Sequence, residues 1–287
     1  MENKISNKRK AKCFILKFLT YASAGIICLL LAGLIGYILY RGVPYITWEL
    51  LSTKPSLIKG TTGILPNILN TLYIILITIV IVLPIGVGAA IYLTEYAKNK
   101  KAVKIIELAT ETLAGIPSII YGLVGLLIFV TFFSLDTSLL AGALTLVIMT
   151  IPTVIRTTQE SLKTVPQSYR EGSLALGAGK WYMFRTVVLP SSIDGIVTGC
   201  ILAIGRITGE SAALLFTAGM ANEIMSIFDA VKPGHAGSTL TVALYMYAKE
   251  RGEFDIAFAI AVILLVLTFI INISAKLAAK FLKKGKE

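Results

Sequence analysis

Arg206 and Glu210 lie four residues apart in a mainly apolar stretch from about Ser191 to Thr217, whose other charge is Asp194 near its start. On a continuous helix that spacing puts both side chains on one face. Charges within an apolar span are costly, and they face a polar path or each other. A guanidinium offers the planar, two-pronged donor set that suits an oxyanion. Glu210 would then position Arg206, or keep an anion from binding too tightly. The same spacing equally suits a self-contained ion pair that only locks the helix. Thr208 and Ser211 would add hydroxyls to such a path, although small polar residues in spans more often pack or bond between helices. Other chemistries lack their parts. His235 is the single histidine, and Cys13, Cys28 and Cys200 show neither metal-ligand spacing nor a disulfide framework. No Gly-x-x-x-x-Gly-Lys-Ser/Thr loop is present to cradle a nucleotide. The sequence therefore predicts no catalytic residue, no metal and no cofactor bound by this chain.

The elements that must position this pair are apolar. Of 287 residues, 56% are hydrophobic and 15% charged, with mean hydropathy +0.81. A soluble domain carries about 25% charged residues, so too few remain here for a water-facing surface. The net charge is +11. Its lysines and arginines sit beside apolar runs without interleaved aromatics, which argues against nucleic acid and for a bilayer.

A spanning helix needs about 20 mostly apolar residues, and six segments qualify. Phe18 to Tyr40 is uncharged, follows a basic stretch and exceeds a signal peptide's apolar core, which predicts a retained first span. Gly60 to Thr94 holds the second, opened near Pro66 and Asn67 and bent at Pro84. The third runs from about Thr112 to Phe133 and the fourth from about Thr137 to Ile155. A short link at Asp136 makes them an antiparallel hairpin. The fifth covers about Ser191 to Thr217 and the sixth about Ile256 to Lys276, with 218–255 a polar connection. Six spans put both termini on one side. Lys and Arg then number 20 in 1–17, 95–111, 156–190 and 276–287, against 6 in 41–59 and 218–255. That asymmetry predicts cytoplasmic termini and a cytoplasmic 156–190 loop.

The 156–190 loop is too patterned for a connector. Thr164 and Gln167 suit a capping box, Pro166 a first helical turn and Gly177 a left-handed stop. A second short helix, Lys180 to Val188, would end before Leu189-Pro190. Two short helices around a glycine turn make a rigid protrusion suited to docking a partner.

Glu171-Gly172-Ser173, x3, Gly177, x9, Val187, x, Leu189-Pro190 resembles the EAA loop of ABC importer permeases, Glu-Ala-Ala, x3, Gly, x9, Ile, x, Leu-Pro. The spacing agrees over all 20 positions, with conservative departures at Gly172, Ser173 and Val187. Gly172 should weaken the helix by roughly 0.5–1 kcal/mol relative to alanine. In that family the loop fits a cleft on a cytoplasmic ATPase subunit and transmits its closure to the pore. The resemblance thus implies ATPase coupling through Glu171, Gly172, Ser173, Gly177, Leu189 and Pro190. The stretch Gly205 to Gly219, with its Leu214-Leu215-Phe216-Thr217-Ala218, is similar to phosphate-importer permeases of the PstA type. So are Ala114 to Gly122 and Thr62 to Pro66.

The resemblance, covering about residues 60–280, implies an all-α type I ABC importer permease with six transmembrane helices in the cell membrane. A basic N-terminus, first helix and outer loop (1–66) would precede a core (67–277) and a basic tail (278–287). The implied partners are ATPase subunits that consume ATP, a homologous permease, an extracytoplasmic phosphate-binding protein and phosphate itself. Arg206, Glu210, Thr208 and Ser211 would belong to the substrate path. A PstC-type subunit, a permease for another oxyanion such as sulfate or molybdate, or a membrane-embedded enzyme are the competing readings. The last lacks a catalytic cluster in the spans.

Overall fold

The computed structural model describes residues 7–56 and 60–284. Helix α1 (Asn7–Gly42) is long because nothing interrupts it: eleven residues of the basic segment and the whole apolar run form one helix. It begins well before Phe18, so the helix takes in much of the predicted basic tail. A short helix α2 (Trp48–Ser52), capped by the Thr47 hydroxyl accepting from Leu50 N at 3.1 Å, follows. A two-residue antiparallel ribbon, β1 (Pro55–Ser56) with β2 (Thr61–Thr62), pairs Pro55 with Thr62 and Ser56 with Thr61.

Helix α3 (Leu65–Ile91) carries Pro66 in its first turn, continues through Pro84 and closes in a wider π-helical turn, Tyr92–Tyr96. The predicted third span, about Thr112 to Phe133, starts in the last turn of one helix and lies mostly in the next, and the lysine-bearing segment before it is largely helical as well. Helix α4 (Lys100–Ala114), capped by Asn99, meets α5 (Ser118–Gly125, extended by a π-helical stretch Leu126–Phe132) at a 98° bend. Gly115 ends α4, and Pro117 takes an extended conformation that cannot continue it. Hydropathy measures the length of an apolar run and is blind to such a corner. Ser134 and Asp136 turn the chain with positive φ, and the Ser138 hydroxyl caps α6 (Leu139–Lys163). The predicted hairpin is therefore present, with α5 packed on α6. The fourth span runs eight residues beyond Ile155, on to Lys163.

Helix α7 (Gln167–Ala175) and α8 (Lys180–Met183) form the loop's two short helices. Helix α8 passes through a π-helical turn, Phe184–Val188, into α9 (Leu189–Gly209). Lys180 to Gly209 is thus one apolar helix of 30 residues, and Leu189-Pro190 lies within it rather than after a stop. The wide turn immediately precedes Pro190, where a regular ladder would lack a donor. Helix α10 (Ala212–Thr217) is separate from α9. The fifth span is therefore broken at Glu210. Then come α11 (Ile227–Ala230), α12 (Leu240–Tyr245, with a π-helical turn Met246–Glu250) and α13 (Phe254–Lys284).

The core is built on α3 against α6 and α6 against α9. Ile74, Leu139, Leu146, Met149, Ile207 and Leu214 are fully buried at its centre. Gly122 lets α5 press on α10: a Cβ there would stand 2.8 Å from the Ala213 Cα. The 218–255 segment is not a surface connection. Residues 237–243 are buried, and their backbone is bonded to α3: Asn67 and Asn70 amides donate to Ser238 O at 3.1 and 3.2 Å, and Leu240 N donates to the Thr71 hydroxyl at 2.9 Å. An irregular backbone inside a membrane protein must be satisfied by protein, and these α3 side chains do so.

Candidate coupling and substrate-path sites

Two sites emerge, one at the loop end of the bundle and one inside it. Helix α7 begins after Pro166 without a side-chain cap. The predicted capping box is absent because the Thr164 hydroxyl instead donates back to Ser161 O at 2.7 Å. The stop at Gly177 is present. Its φ is +84°, Gly177 N donates to Leu174 O at 3.0 Å and Ala178 N to Ser173 O at 3.2 Å. Those two bonds are the Schellman pair that closes a helix on a left-handed residue. The turn leaves Glu171, Gly172 and Gly177 exposed, Ser173 half-buried, and Leu189 and Pro190 half-buried at the base. Around Glu171 the loop displays apolar groups to solvent: Tyr169 is 56% exposed, Trp181 64% and Leu176 90%. At its root Leu162, Val165, Met183, Phe184 and Val188 form a buried cluster that fixes the protrusion to the bundle. Exposed apolar groups beside a charged residue on a rigid base have the composition of a protein interface.

The interior site departs from the expected one. Arg206 is half-buried near the end of α9, and its Nη1 donates to the Thr153 hydroxyl at 3.3 Å. Glu210 is 9% exposed and lies beyond the helix, with φ −82° and ψ 124°. Its Oε1 accepts from Ala213 N at 3.1 Å, and its carbonyl accepts from the Thr241 hydroxyl at 2.8 Å. The two residues do not share a helical face, and no Arg206–Glu210 ion pair occurs among the described residues. A carboxylate that bonds the N–H three residues on competes with the helical ladder. It ends α9 and starts α10. Thr208 is buried and donates to its own helix at Ile204 O, 2.7 Å, a packing role rather than an open hydroxyl. Ser211 is half-buried in the break. Tyr121 and Thr217 are likewise buried and bonded to backbone, at Leu113 O and Ala213 O.

Arg206 belongs to an open stripe of α9. Ser191, Asp194, Thr198, Leu202 and Gly209 are exposed along it, and Gly205 and Arg206 are partly so. That stripe is a helix face with small and polar groups that this chain leaves uncovered. Sequence reasoning missed two features. One is the Asn67–Asn70–Thr71 side chains holding the buried 237–243 segment. The other is Arg170, which bonds Glu95 at the end of α3. An Asn-x-x-Asn-Thr at the start of an apolar span was a usable signal for the first.

The transport-system family described as binding-protein-dependent transport system inner membrane component matches residues 83–284. That range contains the whole α7–α9 loop and both halves of the fifth span. The chain belongs to this family. Among individual proteins it is 40% identical over 220 residues to the Probable ABC transporter permease protein YqgI of Bacillus subtilis, covering 77% of this chain and 73% of that one. It is 30% identical over 279 residues to the phosphate transport system permease protein PstA of Pasteurella multocida, covering 96% and 98%. In fold it is similar to a permease chain in the crystal structure of a bacterial ABC transporter that imports the acidic polysaccharide alginate. There the TM-score is 0.64 at 15% identity, covering 95% of this chain and 98% of that one. The expected all-α, multi-pass ABC permease architecture is thereby established, and among the described residues five helices are long and apolar enough to cross a membrane, or six with the bent α4–α5 pair counted as one.

Proposed function

We propose that this permease passes inorganic phosphate inward, beside a homologous permease, using ATP hydrolysed on a separate cytoplasmic subunit. The carrying observation is the α7 protrusion. Glu171 stands exposed on a short helix that ends at Gly177 and is rooted in a buried cluster. This is the shape a cytoplasmic ATPase cleft would take. The phosphate assignment is supported by the near full-length likeness to a PstA protein and by Arg206, a half-buried guanidinium with no carboxylate partner among the described residues. An oxyanion entering a bilayer loses hydration, and a free guanidinium offsets part of that loss. Thr153, on α6, orients the guanidinium without neutralising it.

In this reading the open stripe of α9 lines the path against the second permease. An extracytoplasmic phosphate-binding protein delivers to the end carrying α2, the β ribbon and α11. The chain itself binds no nucleotide, metal or cofactor. The basic asymmetry supports a cell-membrane location with cytoplasmic termini. With Cys13, Cys28 and Cys200 replaced, a cysteine at Lys54 should react with an impermeant thiol reagent in intact cells and one at Lys180 should not.

The decisive test is reconstitution with the ATPase, the second permease and the binding protein. ATP-dependent uptake of phosphate in preference to sulfate is the expected result. Equal or preferred sulfate uptake would overturn the substrate assignment. Glu171→Ala should retain the protein in the membrane and abolish uptake; normal uptake would overturn the docking assignment.

A further inference from the structure

We propose that Arg170 and Glu95 form the strut that carries motion of the docking helix into the spans. Arg170 is the neighbour of Glu171 on α7. Successive residues on a helix point about 100° apart, so Glu171 is exposed while Arg170 turns inward. Its guanidinium Nη2 lies 2.9 Å from Glu95 Oε1, and Nε lies 3.3 Å from the same oxygen. Glu95 sits in the π-helical turn that ends α3. The remaining donors reach backbone: Nη1 to Val165 O at 2.6 Å and Nη2 to Leu162 O at 2.8 Å.

Leu162 belongs to the last turn of α6, whose final carbonyls have no helical partner and carry the negative end of the helix dipole. One side chain therefore joins α7, the end of α6 and the end of α3. The side chains of Arg170 and Glu95 are only 12% and 9% exposed, whereas those in the other ion pairs are 36% exposed or more. An ion pair this shielded, with four bonds in fixed directions, resists shear where a surface pair does not.

Helices α3 and α6 are the packed centre of the permease, and Thr153 on α6 holds Arg206. A displacement of α7 reaches both helices through Arg170. The buried apolar cluster at the loop's root includes Ile91 of α3 at its edge, but apolar contacts can slide. The strut supplies the directional link. Arg170 is thus a positioning residue for coupling, not part of the substrate path.

This inference rests on the reading of α7 as the ATPase-docking helix. The test uses the full transporter with its ATPase, comparing Arg170→Gln, Arg170→Lys and Glu95→Gln. Readouts are retention of the ATPase on purification, phosphate imported per ATP hydrolysed, and the nucleotide-driven change in spin-label distance between Lys98 and Trp48. Arg170→Gln should keep the ATPase and continue to hydrolyse ATP, while phosphate per ATP falls about ten-fold, within the span of known coupling energies. Arg170→Lys should recover part, because a lysine cannot make all four bonds. Glu95→Gln keeps both carbonyl bonds and so preserves the fold if Arg170→Gln does not; it should give a smaller loss of coupling and a smaller distance change. Wild-type coupling in Glu95→Gln, with an unchanged distance response, would overturn the strut alone. A wild-type complex that retains no ATPase would overturn the docking reading and the strut with it. A wild-type complex that hydrolyses ATP but imports no phosphate would overturn the substrate assignment only, and the distance response would then decide the strut.

Discussion

Glu210 is where charge and shape can be separated. Its carboxylate accepts from Ala213 N at 3.1 Å in a site only 9% exposed. Glu210→Gln retains an oxygen at that position and removes the charge. Glu210→Ala removes both and leaves a buried N–H without its acceptor. The cost of such an orphaned group is about 1–3 kcal/mol, and helix caps measured by truncation fall in the same range, about 0.5–2 kcal/mol. For Glu210→Ala we therefore expect a loss of about 1–3 kcal/mol in stability, or roughly a 5- to 150-fold shift in the folding equilibrium. Glu210→Gln should lose less than half of that if the cap dominates. Denaturant titration in detergent micelles measures the first quantity, and uptake by the reconstituted transporter measures the second. A glutamine variant that keeps both stability and uptake assigns Glu210 to the helix break. One that keeps stability while changing the uptake rate assigns its charge to the path. The reasoning is refuted if Glu210→Ala is as stable as the parent protein, because the bond to Ala213 N would then carry no weight.

Arg206→Gln should abolish or greatly slow phosphate uptake with assembly intact, and Arg206→Lys should recover only part of the rate, since an ammonium lacks the planar fork; normal uptake by Arg206→Gln would remove the residue from the path. Gly172→Ala should stabilise α7 by about 0.5–1 kcal/mol, because a Cβ there meets nothing within 4 Å, while Gly177→Ala at φ +84° should cost about 1–2 kcal/mol; circular dichroism and denaturation read both, and an opposite order would refute the helix-stop geometry. Asp229 is held down to about 2, first by its hydrogen bond from Lys232 and then by that from Ser226. Its lowered pKa means that its contribution to the 218–255 segment is complete above the ordinary carboxylate range and is lost as pH falls through about 2. Carboxyl carbon NMR should therefore show a midpoint near 2, and a midpoint near 4 would refute the Ser226–Asp229–Lys232 arrangement.

The apolar runs and the Glu171-to-Pro190 spacing were legible because each is a local property of consecutive residues. The breaks were not. At Gly115-Ile116-Pro117 a charged, amphipathic α4 gives way to an apolar α5, and hydropathy does not announce the 98° turn between them. At Glu210 the helix ends because one carboxylate bonds one N–H, and the same residue in a continuous helix would look identical in sequence. The polar residues of 237–243 read as a surface loop, because their partners on α3 lie about 170 positions away in sequence. The conformation of Gly177 was predictable, since only its φ was at stake. The roles of Arg170 and Thr153 were not, since each is decided by a partner on another helix.

Helix α1 holds a consequence for how the protein is made. None of its most apolar membrane-length window is buried against the rest of the chain. Its attachment lies at its far end, where Arg41 meets Asp255 at 3.4 Å and Tyr37 stands edge-on to Phe258. Those partners lie 214 positions later in the Arg41 case. At ribosomal rates of about 5–20 residues per second, roughly 10–40 seconds separate their emergence. Through that interval the first helix has lipid as its companion, so its insertion draws on its own apolarity alone. The clasp between the first and last helices is then the final joint of assembly. A truncated chain ending before Phe254 should insert yet hold that first helix only through its short connection to α2 and the start of α3.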